Sequence, residues 1–142
     1  MKKQVLITVK NTQEVDGQTD SGEMTTTGEL WQEEDRLTLR YREVAEDEEI
    51  ETTVTLDGSA DPPPVRIARI GETESRMTVE QGKRHHSIYN LGPCEFALGV
   101  YGETVCWKPT PQGGTLTLQY TMDMNAVYAG RSTVQLLVTA AE

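Results

Sequence analysis

Apolar and polar residues alternate along this chain in short runs, and turn-forming residues interrupt the runs at close intervals. Leu37, Leu39 and Tyr41 alternate with Thr38, Arg40 and Arg42. Leu116, Leu118, Tyr120 and Met122 alternate with Thr115, Thr117, Gln119 and Thr121. A period of two sends successive side chains to opposite faces, as half-buried strands require. No long segment carries a helical period. The alternation predicts strands at about Gln4 to Lys10, Glu23 to Trp31, Arg36 to Val44, Glu51 to Leu56 and Val65 to Ile70. It predicts five more at about Ser75 to Glu80, His85 to Leu91, Phe96 to Trp107, Thr115 to Asp123 and Tyr128 to Thr139. The 19 threonines among 142 residues favour strands over helices.

The punctuation between these runs is hairpin chemistry. Glu33-Glu34-Asp35, Glu46-Asp47-Glu48-Glu49, Gly71-Glu72-Thr73, Gln81-Gly82 and Gly113-Gly114 each read as a tight connection. The polar stretch from Asp16-Gly17 to Gly22 reads as a flexible loop between the first two strands. Asp57 to Pro64 holds three consecutive prolines, which cannot join a central strand, so it reads as a stiff crossing loop between two sheet halves. Gly99 and Gly102 read as bends in one long strand. Hairpins at this spacing fit an up-and-down barrel or a sandwich. The barrel is preferred, because closure removes exposed strand edges and suits near-continuous hairpin connectivity. The expectation is one all-β antiparallel domain spanning residues 1–142, with about eight to ten strands.

Several segments taken together are similar to a known family. They are Arg66-Ile67-Ala68-Arg69-Ile70-Gly71, Met77 with Gln81-Gly82, Tyr89-Asn90-Leu91-Gly92-Pro93, and Gly114-Thr115-Leu116 leading to Gln119-Tyr120. Leu39-Arg40-Tyr41-Arg42-Glu43 also fits. The chain resembles the YwiB-like family of small bacterial proteins over most of its length. It departs where a Thr-Pro-like turn is usual and Leu91-Gly92-Pro93 stands instead. The resemblance implies a calycin-like barrel, related in shape to lipocalins. It implies no assigned activity and carries over no catalytic residue.

Charge narrows the partners. The formal net charge is -10, which favours solubility and disfavours polyanions, so no nucleic-acid partner is expected. Lys83-Arg84-His85-His86, the one compact basic cluster in the sequence, reads as a solvated strand start. Trp31 and Trp107 are too scattered for a base-stacking platform. Met1-Lys2-Lys3 followed by Gln4 to Val9 is too short and polar for a secretory signal, and no run approaches a membrane span. A cytoplasmic protein without a membrane partner is expected. Cys94 and Cys106 fit that compartment as small buried thiols, with a single disulfide the alternative.

Strand parity isolates one constellation. Leu37, Leu39, Tyr41 and Glu43 share a face, as do Val65, Ile67 and Arg69, then His85, Ser87, Tyr89 and Leu91, then Leu116, Leu118, Tyr120 and Met122. If these faces line the interior, Tyr41, Glu43, Arg69, His85, Tyr89 and Tyr120 point inward with them. A charge there needs a partner, and Glu43 with Arg69 is the natural pair. These polar tips would line one barrel mouth and hold a small polar or anionic group above apolar walls. The bland alternative puts Glu43 and Arg69 at strand ends in water and the tyrosines in the core.

No catalytic, metal or cofactor signature accompanies this set. His85 and His86 are adjacent, so they face opposite ways. Cys94 and Cys106 lack knuckle spacing. There is no Gly-x-Ser-x-Gly elbow and no glycine-rich phosphate loop before a helix. Catalytic residues, metals and cofactors are therefore all expected to be absent. Three functions stay open. The first is a non-enzymatic barrel binding a small molecule. The second is an interaction or regulatory module, a homodimer included, using outer-face residues such as Ile88 and Leu137. The third is a hydrolase or isomerase at the barrel mouth, for which Glu43 or His85 would be tested first.

Overall fold

A computed structural model describes residues 2–45, 47–72, 74–91 and 93–141, without the side chains of Ala45 and of residues 88–91. Ten strands follow one another: β1 (Lys3–Val15), β2 (Gln18–Glu33), β3 (Arg36–Ala45), β4 (Glu48–Asp57) and β5 (Val65–Ile70), then β6 (Glu74–Val79), β7 (Arg84–Leu91), β8 (Cys94–Thr110), β9 (Gly113–Met124) and β10 (Val127–Ala140). Each pairs antiparallel with its sequence neighbours, and β1 pairs with β10 from Val5↔Ala140 to Glu14↔Arg131, which closes the ring. No helix among the described residues is long and apolar enough to cross a membrane, a fact that does not bear on strands.

All ten strands predicted from the alternation are present, most of them longer at their ends. The expected loop around Asp16-Gly17 is instead a strand extension that closes in a two-residue turn. Val15 pairs with Gln18, and Asp16 and Gly17 take φ values of 51° and 78°. Two positive φ angles match the right-handed twist of the flanking strands. Composition hid this because both faces of the hairpin tip are polar. The 58–64 segment is not a crossing between sheet halves. β4 and β5 pair directly, from Leu56↔Val65 to Glu51↔Ile70, so the prolines stiffen an ordinary hairpin loop. Gly113 and Gly114 open β9 rather than forming the turn before it.

The ring is uneven. Among the described residues the β6–β7 ladder shows the one pair Glu74↔Asn90, with Glu80↔Lys83 bridging the hairpin below it. That hairpin docks on β8 instead. Gly102 donates to the Lys83 carbonyl at 3.1 Å, and Gly82 donates to the Gly102 carbonyl at 2.8 Å. A side chain at Gly102 would strike the Glu80 carbonyl, so the close approach requires glycine there.

The end holding the β2–β3, β4–β5, β6–β7 and β8–β9 turns is called the lower end here. The interior of the lower and middle barrel carries Val5, Ile7, Leu30, Leu39, Val54, Leu56, Val65, Val79, Val100, Leu116, Leu118, Leu136 and Val138, all buried, and a cavity of about 430 Å³ beside Leu30 and Leu56 opens at the lower end. Cys94 and Cys106 are free, and neither is buried: Cys94 is exposed and Cys106 half-exposed. Their expected burial fails because Cys106 lies between inward Val105 and Trp107, and because Cys94 starts β8 beyond the core.

Gly28 marks the tightest inward packing. A Cβ there would strike the Arg40 carbonyl oxygen and come within 2.7 Å of Ile7 Cδ1 and 3.1 Å of Tyr41 Cβ. Gly28→Ala is therefore expected to cost about 1–3 kcal/mol in denaturant unfolding. A loss under about 0.5 kcal/mol, the range of neutral surface changes, would show that Ile7 and Tyr41 can move aside.

Candidate functional site

Apolar filling stops part-way up the barrel. Above Val54, Ile67, Leu118 and Leu136 lies a chamber of about 180 Å³ that also touches Tyr41, Glu43, Thr52, Arg69 and Tyr120. A mouth cavity of about 380 Å³ shares Asn11, Arg69, Met77, Tyr120 and Val134 with the chamber. Leu98, Met122 and Met124 wall the mouth. Unbranched methionines adapt their shape to what they touch.

The register explains why these groups meet. Tyr41 on β3 lies opposite Thr52 on β4, and Thr52 lies opposite Arg69 on β5. The three form one inward row, with neighbours about 5 Å apart at Cβ. Glu43 stands two residues above Tyr41, on the same face. Arg69 Nη2 donates to Glu43 Oε1 at 2.7 Å. The Arg69 side chain is 48% exposed and that of Glu43 20%, so the pair stands at the threshold between chamber and solvent. Tyr120 faces the row from β9, with Ser132 of β10 opposite it in register.

Burial sets the acid–base character of the chamber. Tyr41 is 7% exposed, and burial, reinforced by the Glu43 carboxylate, pushes its phenol up to about 12. Tyr120 is 6% exposed and is also pushed up by burial, with Ser132 pulling the other way. Both phenols are neutral donors and acceptors near neutral pH. Thr52 exerts a weak downward pull on Tyr41, yet the two do not reach hydrogen-bond geometry. Thr52 Oγ1 is fully enclosed and has no partner.

The structure brings Tyr41, Glu43, Arg69 and Tyr120 together. It does not bring His85 to them. His85 sits near the lower end, with Nε2 2.8 Å from Glu80 Oε1. Hydrogen bonds from His85 and Lys83 hold the Glu80 carboxyl below its usual range. The rest of the basic cluster is likewise engaged: Arg84 donates from Nε and Nη2 to the two Asp123 carboxylate oxygens at 3.0 and 2.6 Å, and from Nη1 to His86 Nε2 at 2.6 Å. The side chains of Tyr89 and Ile88 lie outside the described residues. Leu137 is half-exposed on the outer face. Among the described residues no three His, Cys, Asp or Glu side chains gather as metal ligands would.

Sequence reasoning passed over Thr52, Asn11 and Ser132. For Thr52 the signal was present: Thr52, Val54 and Leu56 share the inward face of β4, so a polar residue heads an apolar run.

A family model described as a domain of unknown function (DUF1934) matches residues 7–136. The chain belongs to that family. Its fold is that of the ywiB protein from Bacillus subtilis, whose crystal structure superposes with a TM-score of 0.85 at 17% identity, covering 99% of this chain and 94% of that one. At that identity the likeness speaks for the fold alone. No curated protein matches the chain. The expected YwiB-like membership therefore holds, on a barrel whose family has no assigned activity.

A raised phenol pKa is also a statement about stability. The folded state holds the Tyr41 proton up to about pH 12, whereas an unfolded tyrosine releases it near 10. The contribution is thus fully present below pH 10 and is lost as pH rises from there towards 12, by about 3 kcal/mol. Denaturant unfolding between pH 9 and 11.5 is expected to fall more steeply in the wild type than in Tyr41→Phe. Equal slopes would mean that Tyr41 ionises freely in the folded protein.

Proposed function

We propose that this DUF1934 protein is a non-enzymatic barrel that takes up a small, largely apolar molecule through its upper mouth. The observation that carries this reading is the halt in apolar packing below the Tyr41–Thr52–Arg69 row. The middle of the barrel is packed with buried aliphatic side chains, and the upper interior keeps a chamber bordered by hydroxyls and one ion pair; a separate cavity of about 430 Å³, which Leu30, Leu37, Leu56 and Trp107 help to line, lies at the lower end. Apolar walls with a few convergent polar groups are the usual composition of a small-molecule site. The lipocalin-like shape expected from the family agrees with it by analogy, which is a weaker support. An exposed free thiol at Cys94 fits a reducing compartment, consistent with a cytoplasmic location.

A second reading has one observation in its favour. Val15, Val44, Ile70, Val127 and Tyr128 are exposed large hydrophobics, and all stand at the mouth end of their strands, with Val44 77% and Val127 69% exposed. An apolar rim of this kind would suit a partner that meets the mouth.

The test compares native and denatured masses of freshly purified protein. The expected result is a reproducible extra mass that denaturation removes. Glu43→Ala and Arg69→Ala should each reduce the retained fraction while costing only about 0.2–1 kcal/mol of stability, as half-exposed pairs do. A bare wild-type monomer whose chamber residues also show no NMR response to small apolar molecules would overturn the reading. A bare dimer would favour the rim.

A further inference from the structure

The chamber itself indicates the chemistry of the molecule it takes, and this step rests on the ligand-binding reading above. Thr52 Oγ1 is buried, unpartnered, and seated between Tyr41 and Arg69 in the inward row. A buried hydroxyl without a partner loses its hydration and regains nothing, so a ligand that bonds to it removes a standing cost. Charge is cancelled at the threshold, because Glu43 already holds Arg69 at 2.7 Å. An anionic ligand would have to share Arg69 with a carboxylate that repels it. A cationic ligand would meet the reverse conflict at Arg69. Either would give up its own hydration in a space walled by Val54, Ile67 and Leu118, which is expensive for an ion. A neutral group that both donates and accepts meets none of these objections. It can accept from the spare N–H groups of Arg69, donate to Glu43, and do either with Thr52. The chamber's volume of about 180 Å³ equals roughly six waters at about 30 Å³ each, enough for one small ring.

We propose that the ligand is uncharged and carries an amide-like donor–acceptor group on a small apolar body, with that group set against Thr52 and the Glu43–Arg69 pair. This narrows the small polar or anionic group expected from sequence to a neutral polar one.

Three probes of similar shape separate the possibilities: benzamide, benzoate and ethylbenzene. Each is titrated into the full-length protein at pH 7 while backbone amide shifts of Thr52, Val54 and Leu118 are followed. Benzamide is expected to bind at least tenfold more tightly than benzoate and than ethylbenzene. Thr52→Val should lower benzamide affinity about tenfold, the loss of one hydrogen bond, and leave ethylbenzene unchanged. Thr52→Ser should retain the benzamide preference. Because Val matches Thr in shape and removes an unsatisfied hydroxyl, Thr52→Val should melt no lower than the wild type. Benzoate binding as tightly as benzamide, or a benzamide affinity indifferent to Thr52→Val, would overturn the proposal and leave the chamber reading standing. If ethylbenzene and benzamide both fail to shift the chamber residues, the binding reading falls as well.

Discussion

Closing ten strands into one ring sets the problem that the rest of the molecule solves. A barrel's diameter grows with strand number, and about eight strands already enclose as much space as side chains comfortably fill. Ten strands enclose more, and strict alternation allots only every second residue to the interior. In the middle of the barrel, branched and long aliphatic residues from facing strands pack together, as Leu116, Leu118, Val54 and Leu136 do. Towards the mouth the inward positions include Tyr41, Thr52, Arg69 and Tyr120, which cannot close over one another without burying unpaired polar groups. A chamber is the outcome of that conflict between enclosed volume and available chemistry.

The same closure explains where the backbone is least regular. Gly28 lets Ile7 and Tyr41 pack across β2, which brings the tyrosine to the chamber wall rather than to solvent. Among the described residues the β6–β7 seam shows the ladder pair Glu74↔Asn90, and its hairpin is tied to β8 through Gly102. Ile67 and Met77 line the chamber, and both also touch an outer depression of about 460 Å³ beside that seam. Ile67 and Met77 thus separate the chamber from the outer depression, and the unbranched methionine can adapt its shape to either side.

Much of the fold was legible because its main signal is local. Period-two patterning around Leu39, Ile67 and Leu118 names both the strands and their inward faces, and parity alone brought Tyr41, Glu43, Arg69 and Tyr120 to one space. Parity says nothing about height along the axis. His85 shares the inward parity of its strand, yet it belongs to the lower end beside Glu80, because β7 enters the ring from the β6–β7 turn. Height depends on register, and register is fixed by cross-strand pairing that no single strand records. The Asp16-Gly17 hairpin was missed for a related reason: a strand polar on both faces has no alternation to read.

Thr52 shows what a sequence conceals even where its pattern is clear. The residue is unremarkable in a threonine-rich chain, and most threonines here face water or a cross-strand neighbour, as Thr8 and Thr25 do. Its distinction comes from position: inward parity, a height just above the apolar filling, and flanking partners engaged elsewhere. Arg69 is bound to Glu43, and Tyr41 makes no hydrogen bond of acceptable geometry to Thr52. A buried hydroxyl in that position would be removed by a change to valine at no cost in shape, so stability alone gives no reason for it. What it does supply is a neutral donor and acceptor at the floor of a threshold whose charges already cancel, which is a demand on the chemistry of whatever enters.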